Sequence, residues 1–188
     1  MKTSMKNLLL CAGLGVSLFA GPLLADTLPN SEASLWFRSN YWAYTPAKGV
    51  DGTVEPVSID GKSVLRLRYV FTPEGGRYSA AYLYLKSIDQ FTELRFRVKS
   101  DMAGNVLVRL FDADGEALQY VVPVKKSAEW TDIRIEVARP TTTFATKAGV
   151  ILNKKADFPA TGVFFGLEVP KGTEASGDIL YTEPELVR

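Results

Sequence analysis

Along Glu93–Glu116 (ELRFRVKSDMAGNVLVRLFDADGE) apolar and polar positions alternate with a period of two. Leu94, Phe96 and Val98 interleave with Glu93, Arg95, Arg97 and Lys99. Val106, Val108 and Leu110 resume the apolar row, with Leu107, Arg109 and Phe111 on the opposite side. Successive side chains of a strand point to opposite faces, so this pattern predicts two strands, each with one buried face. Asp101–Asn105 reads as the loop that folds them into a hairpin. Asp112-Ala113-Asp114-Gly115 has the composition of a turn closing the second strand.

The same alternation recurs through the chain. Val54–Ile59 and Ser63–Phe71 read as a hairpin around Asp60-Gly61-Lys62. Leu65, Leu67, Tyr69 and Phe71 face one way there, and Val64, Arg66, Arg68 and Val70 the other. In Arg77–Leu85, Tyr78, Ala80, Tyr82 and Tyr84 share one face, opposite Ser79, Ala81, Leu83 and Leu85. Further strands are predicted over Ala117–Val124, Trp130–Val137, Val163–Val169 and Ile179–Val187; Pro123 suits the end of a strand or an edge. Arg139–Pro159 is the loosest region. No stretch of adequate length carries a helical period, and about nine or ten strands at this spacing predict one all-β domain, an antiparallel two-sheet β-sandwich.

Residues 1–25 break the pattern. Lys2 and Lys6 precede an apolar run, Leu8–Phe19, and Leu23-Leu24-Ala25 stands before Asp26. This is the layout of a secretory signal peptide, and the run is short for a membrane span. The expectation is a cleaved leader and a single domain over 26–188, periplasmic or secreted, with no membrane span after cleavage. Cys11, the one cysteine, lies in the leader and follows Leu10, where a lipoprotein signal wants a small residue. The mature chain must therefore be held by its core, without disulfides.

Composition narrows the chemistry. There is no histidine, which removes the commonest general base, the commonest metal ligand and every Ser-His-Asp or Cys-His arrangement. A net charge of +1 gives no electrostatic case for nucleic acid or an acidic membrane surface. Glu168 and Asp132 are candidates for a carboxylate pair in glycoside hydrolysis, but no acid stands in an apolar context that would raise its pKa. No catalytic residue is assigned, and an enzyme is not expected.

What remains is a binding surface. Tyr78, Tyr82 and Tyr84 line one face of a strand, and Arg95, Arg97 and Arg109 fall on the corresponding faces of its neighbours if sheet order follows sequence. A pyranose has an apolar face that stacks on aromatic rings and hydroxyls that pair with arginine and carboxylate, so such a face suits a glycan if it is concave. The competing reading is a solvated sheet face whose tyrosines cover arginine stems. Asn40–Tyr44 is a second aromatic concentration, in which Trp42 is a ligand candidate; Trp36, between Leu35 and Phe37, reads as core. Asp112, Asp114 and Glu116 suggest a calcium loop, but the twelfth position is Pro123 where that loop needs glutamate. A β-turn with exposed acids is the reading kept, and no metal ligand is assigned.

The segments SVLRLRYVF, YSAAYLYL, FTELRFRVKSD, VLVRLFDADGE, EWTDIRIEV, GVFFGLEVP and SGDILYTEPELV, in that order, resemble the galactose-binding-like β-jelly-roll superfamily over residues 35–187. Carbohydrate-binding modules of the cellulose- and glucan-binding type belong there, as does the domain of complex I intermediate-associated proteins. The resemblance implies a jelly roll, a saccharide ligand and a core position for Trp130. Many relatives hold a structural calcium between an acid near the end of the domain and residues near its start. Here Glu183 stands about where an aspartate is usual, and the start offers Glu32 and Asp51. The expectation is no cofactor, with a structural calcium as the alternative the resemblance raises. The chain thus reads as an exported, non-catalytic carbohydrate-binding module that grips a polysaccharide or glycoconjugate through Tyr78, Tyr82, Tyr84, Arg97, Arg109 and Trp42. Two alternatives stay open: a periplasmic structural or assembly protein using that face against an envelope protein, and a small glycosidase or lyase.

Overall fold

The computed structural model describes residues 42–188, apart from the side chains of Trp42, Tyr84, Leu85 and Lys86. The predicted leader, Glu32 and the core reading of Trp36 lie outside the described residues. Among the described residues twelve strands follow one another: β1 (Trp42–Tyr44), β2 (Asp51–Ile59), β3 (Lys62–Phe71), β4 (Tyr78–Ile88), β5 (Glu93–Ser100), β6 (Gly104–Phe111), β7 (Glu116–Val124), β8 (Ser127–Glu136), β9 (Thr142–Ala145), β10 (Ala160–Glu168), β11 (Ala175–Thr182) and β12 (Glu185–Val187). They form two antiparallel sheets in a β-sandwich of jelly-roll type. The first sheet runs β1-β4-β10-β6-β7-β9. In the second, β5 carries β8 on one edge and β11 and β12 end to end on the other, and β3 and β2 continue from β11.

The alternating pattern placed the strands but misassigned one pairing. β5 and β6 are not a hairpin: β5 belongs to the second sheet and β6 to the first. The chain crosses between sheets in three residues, where the Asp101 N–H donates to the Asp178 carbonyl and the Met102 N–H to Ser100 Oγ. A hairpin and a sheet-to-sheet crossing present the same apolar rows, because both bury one face of each strand. Leu94, Phe96 and Val98 therefore meet Val106, Val108 and Leu110 across the core, not side by side. The β2–β3 hairpin forms as predicted. Its two turn residues, Asp60 (φ 51°) and Gly61 (φ 74°), both take the left-handed conformation that the tight primed turns need.

The interior is packed where the two sheets face one another. Leu65, Leu67 and Tyr69 of β3, Phe96 of β5 and Tyr181 of β11 meet Leu83 of β4, Val108 of β6 and Phe165 of β10. The Phe165 ring stands edge-on to Phe96 at 5.1 Å and 5.6 Å from Tyr181. Fully burying a side chain of this size stabilises by about 1.5–3 kcal/mol relative to leaving it in water. The region read as loosest contains β9, which pairs Thr142–Ala145 with Gln119–Glu116 of β7. Two buried carboxylates fix this end. Asp112 Oδ1 accepts the N–H groups of Asp114, Gly115 and Glu116 at 2.8–3.0 Å, and the Glu116 carboxylate accepts those of Asn153 and Lys154. The reading of a turn with exposed acids holds for Asp114 alone; Asp112 and Glu116 are buried because each ties down a loop backbone.

Candidate functional site

The outward face of the first sheet collects most of the aromatic candidates. Pairing runs Tyr82 of β4 to Phe164 of β10, Phe164 to Arg109 of β6, and Arg109 to Gln119 of β7. The neighbouring row runs Tyr84, Gly162, Phe111, Ala117 and Phe144. Residues two apart on a strand share a face, so Tyr78, Tyr82 and Arg109 stand together on this surface. The glycines of β10 leave room for the rings: a Cβ at Gly162 would lie 2.5 Å from the Tyr82 hydroxyl, and one at Gly166 2.9 Å from Ala80 Cβ.

Arg109 is the centre of the arrangement. Its guanidinium carbon lies 4.3 Å from the Phe164 ring centroid, 5.2 Å from Phe144 and 5.4 Å from Tyr78. Its Nε donates to Gln119 Oε1 at 2.7 Å. Burial lowers the Arg109 pKa from its usual range, with Tyr78 and Glu168 acting in the opposite sense. The rings attract the cation, and the glutamine fixes its plane. Phe164, Leu107 and Ala80 are buried beneath, with Tyr78, Tyr82, Phe111 and Val121 packed on them, so this outward face has a small apolar core of its own. The Tyr82 ring lies 4.7 Å from Phe111. Both wall an open cleft of about 430 Å³ that is also lined by Gly115, Thr146, Lys147 and Thr161.

Arg97 does not belong to this face. It lies on β5 in the second sheet, as does Arg95, because sheet order does not follow sequence: β4 pairs with β1 and β10, not β5. Arg95 and Arg97 thus stand on the opposite side of the sandwich from the tyrosines, while Arg109 stands with them. The Trp42 backbone pairs with Leu83 on the edge strand β1, and the Tyr84 backbone with Gly162; their side chains are not described.

The outward face of the second sheet holds a larger cleft, about 890 Å³, that sequence reasoning did not find. Trp130 lines it, half-buried, with the Arg97 guanidinium over its ring at 5.7 Å. The core position implied for Trp130 is therefore incorrect. Ile133, Ile135 and Val137 point inward, so the even positions of β8 point outward, and Trp130 follows Asp132 and Arg134. That signal was present in the alternation of EWTDIRIEV.

Beside Trp130 the sheet carries a defect. Val98 pairs with Tyr181, yet Arg95 pairs with Glu185, so the β11–β12 side has one residue too many. Pro184 has no N–H for the ladder, and the Arg97 N–H instead donates to Thr182 Oγ1 at 2.8 Å. The extra residue places Glu183 at the cleft, where partial desolvation of a side chain still exposed to solvent raises its carboxyl pKa above the ordinary glutamate value. Glu93, buried at the far end, is held below that value by its hydrogen bond from Arg95 and then by Arg134, whose Nε lies 2.5 Å away.

The carboxylates that the resemblance brings to a calcium do not converge. Asp51 pairs with Val70 at one end of β3, while Glu183 follows Thr182, which pairs with Val64 at the other. Six residues of strand, roughly 20 Å, separate them. Among the described residues no three His, Cys, Asp or Glu side chains gather closely enough to hold a metal ion. Among the same residues no helix is long and apolar enough to cross a membrane.

Comparison with solved structures supports the architecture. The family 11 carbohydrate-binding module of a cellulosomal cellulase of Clostridium thermocellum superposes with a TM-score of 0.56 at 16% identity, covering 78% of this chain and 87% of that one. A family 11 module from Clostridium thermocellum in complex with a β-1,3-1,4-mixed-linked tetrasaccharide gives 0.54 at 16% identity, covering 78% and 88%. At this identity the likeness is one of fold: the sandwich is of the kind found in carbohydrate-binding modules. No family model and no curated protein matches the sequence.

Proposed function

We propose that the protein is an exported, non-catalytic carbohydrate-binding module and that the outward face of its first sheet binds the glycan. The observation that carries this reading is Arg109, caged by Phe164, Phe144 and Tyr78 and oriented by Gln119, beside the cleft walled by Tyr82 and Phe111. A guanidinium already fixed in plane loses little freedom when it donates to sugar hydroxyls, and tyrosine rings supply the surface on which a pyranose stacks. Tyr84, whose backbone register lies in the row next to Tyr82, extends the same proposal from the sequence; Trp42, whose backbone pairs with core-facing Leu83, is left out of it. Of the two solved structures with this fold, one is in complex with a β-1,3-1,4-mixed-linked tetrasaccharide, so such a sandwich can carry a sugar. The leader over residues 1–25 supplies the route to the periplasm or beyond.

Affinity electrophoresis in gels containing soluble polysaccharides tests the reading. Wild type is retarded by at least one neutral polysaccharide, mixed-linkage β-glucan being the first to try. The Tyr78→Ala, Tyr82→Ala double variant loses about tenfold in affinity, the scale of an aromatic stacking contact. Unretarded migration in glucan, mannan, galactan and peptidoglycan fractions alike would favour the envelope-protein partner instead.

A further inference from the structure

Some of the groups that line the cleft on the second sheet have hydrogen-bonding capacity that is not used inside the protein. Arg97 and Asp132 stand directly opposite one another on β5 and β8, the arrangement in which a cross-strand ion pair is expected. They do not make it. The Arg97 guanidinium lies over the Trp130 ring, and neither the Asp132 nor the Glu183 carboxylate has a hydrogen bond or ion pair to another described side chain. Arg95 and Arg134, by contrast, are held by Glu93. The bulge at Thr182–Pro184 opens the sheet at this point, and bulges recur where a strand must re-aim side chains at a site.

The cleft also holds Lys62 and Asp60, so its charges are balanced. A cationic or anionic ligand would meet as much repulsion as attraction. A neutral polyol meets neither: one of two vicinal hydroxyls accepts from Arg97 while the other donates to Asp132 or Glu183, and the ring takes the exposed part of Trp130. We infer that this cleft is a second saccharide site, specific for a neutral hexose unit, on the side of the sandwich opposite the Tyr78–Arg109 face. With both faces occupied, one chain joins two glycan strands, and linkage raises its avidity for a polysaccharide wall without further contacts. The second site does not depend on the first being a glycan site.

Amide and indole chemical shifts of the full mature chain, followed by NMR during titration to millimolar concentration with the β-1,3-1,4-mixed-linked tetrasaccharide and with cellotetraose, test this inference. The expected result is saturable shifts of the Trp130 indole N–H and of the Arg97 and Thr182 amides. Asp132→Asn, an exposed substitution that keeps the fold, weakens that set by about tenfold and leaves shifts at Tyr78 and Arg109 in place. Trp130→Ala abolishes the set if the variant folds, and Asp132→Asn decides the matter if it does not. Shifts confined to the Tyr78–Arg109 face, no shift with either saccharide, or a second-sheet set insensitive to Asp132→Asn would overturn the inference. Shifts at Trp130 alone would overturn binding of these β-glucans on the first sheet and leave this inference standing.

Discussion

The two outward faces of the sandwich are built on opposite plans. On the first sheet, rings bury one another over the glycines of β10, and the central cation is enclosed: Arg109 has three rings and Gln119 around it. On the second sheet, ion pairs such as those of Glu93 with Arg95 and Arg134 stand around a cleft in which Arg97 and Asp132 face one another unpaired and a single tryptophan is half-exposed. One face is a preformed platform with little left to rearrange. The other is a cleft whose polar groups wait for a partner. An outward-facing position therefore does not have one meaning in this molecule, and substitutions on the two faces should separate stability from binding.

The largest separation is expected at Phe164. Although it points away from the interface of the two sheets, it is 1% exposed, and Phe164→Ala should cost about 3–5 kcal/mol in denaturant unfolding, as for a core phenylalanine. Leu107→Ala, on the same face, should cost about 2–5 kcal/mol. A loss under 1 kcal/mol at both sites would mean that the first face has no core of its own.

A smaller effect separates two glutamates of the second sheet by pH. Glu93 has a folded-state pKa below its ordinary 4.5, so its stabilisation is complete above that value and disappears as pH falls through the folded one. Glu93→Gln should be less stable than wild type at neutral pH, with the gap closing in acid. Glu183 is raised instead, so its penalty is absent below 4.5 and grows as pH rises through the folded value. Glu183→Gln should gain on wild type as pH increases from 4 to 7. Thermal melts at a series of pH values check both signs; parallel curves for the two variants would contradict the assignment.

The smallest effect is expected at Asp132, where Asp132→Asn should change stability by no more than about 0.5 kcal/mol. A larger loss in the same unfolding assay would show that its carboxylate is engaged within the protein and would remove the contrast between the faces.

Most of the architecture was legible in the sequence because period-two alternation reports burial directly. The rows Leu65–Phe71, Leu94–Val98 and Val106–Leu110 all lie in the core as the pattern indicates. Pairing was not legible. The pattern says which side of a strand is buried but not which strand lies beside it, so the β5–β6 hairpin was wrong, and Arg97 was placed beside tyrosines that stand on the other sheet. β9 was missed because a four-residue edge strand has too few positions to show a period, and its place is set by the β7 ladder. Trp130 could have been found, since its parity with Asp132 and Arg134 puts it outside. Glu183 could not: its place at the cleft depends on a bulge visible only in the register of β5 against β11 and β12.

The proposed sugar site on the first sheet stands or falls with Arg109. Isothermal titration with the β-1,3-1,4-mixed-linked tetrasaccharide, comparing wild type with Arg109→Lys, tests it most directly. Lysine keeps the charge but loses the planar fork that the rings and Gln119 hold in place. A loss of about tenfold or more in affinity is expected, with unfolding behaviour otherwise maintained. Equal affinities in the two proteins would contradict it.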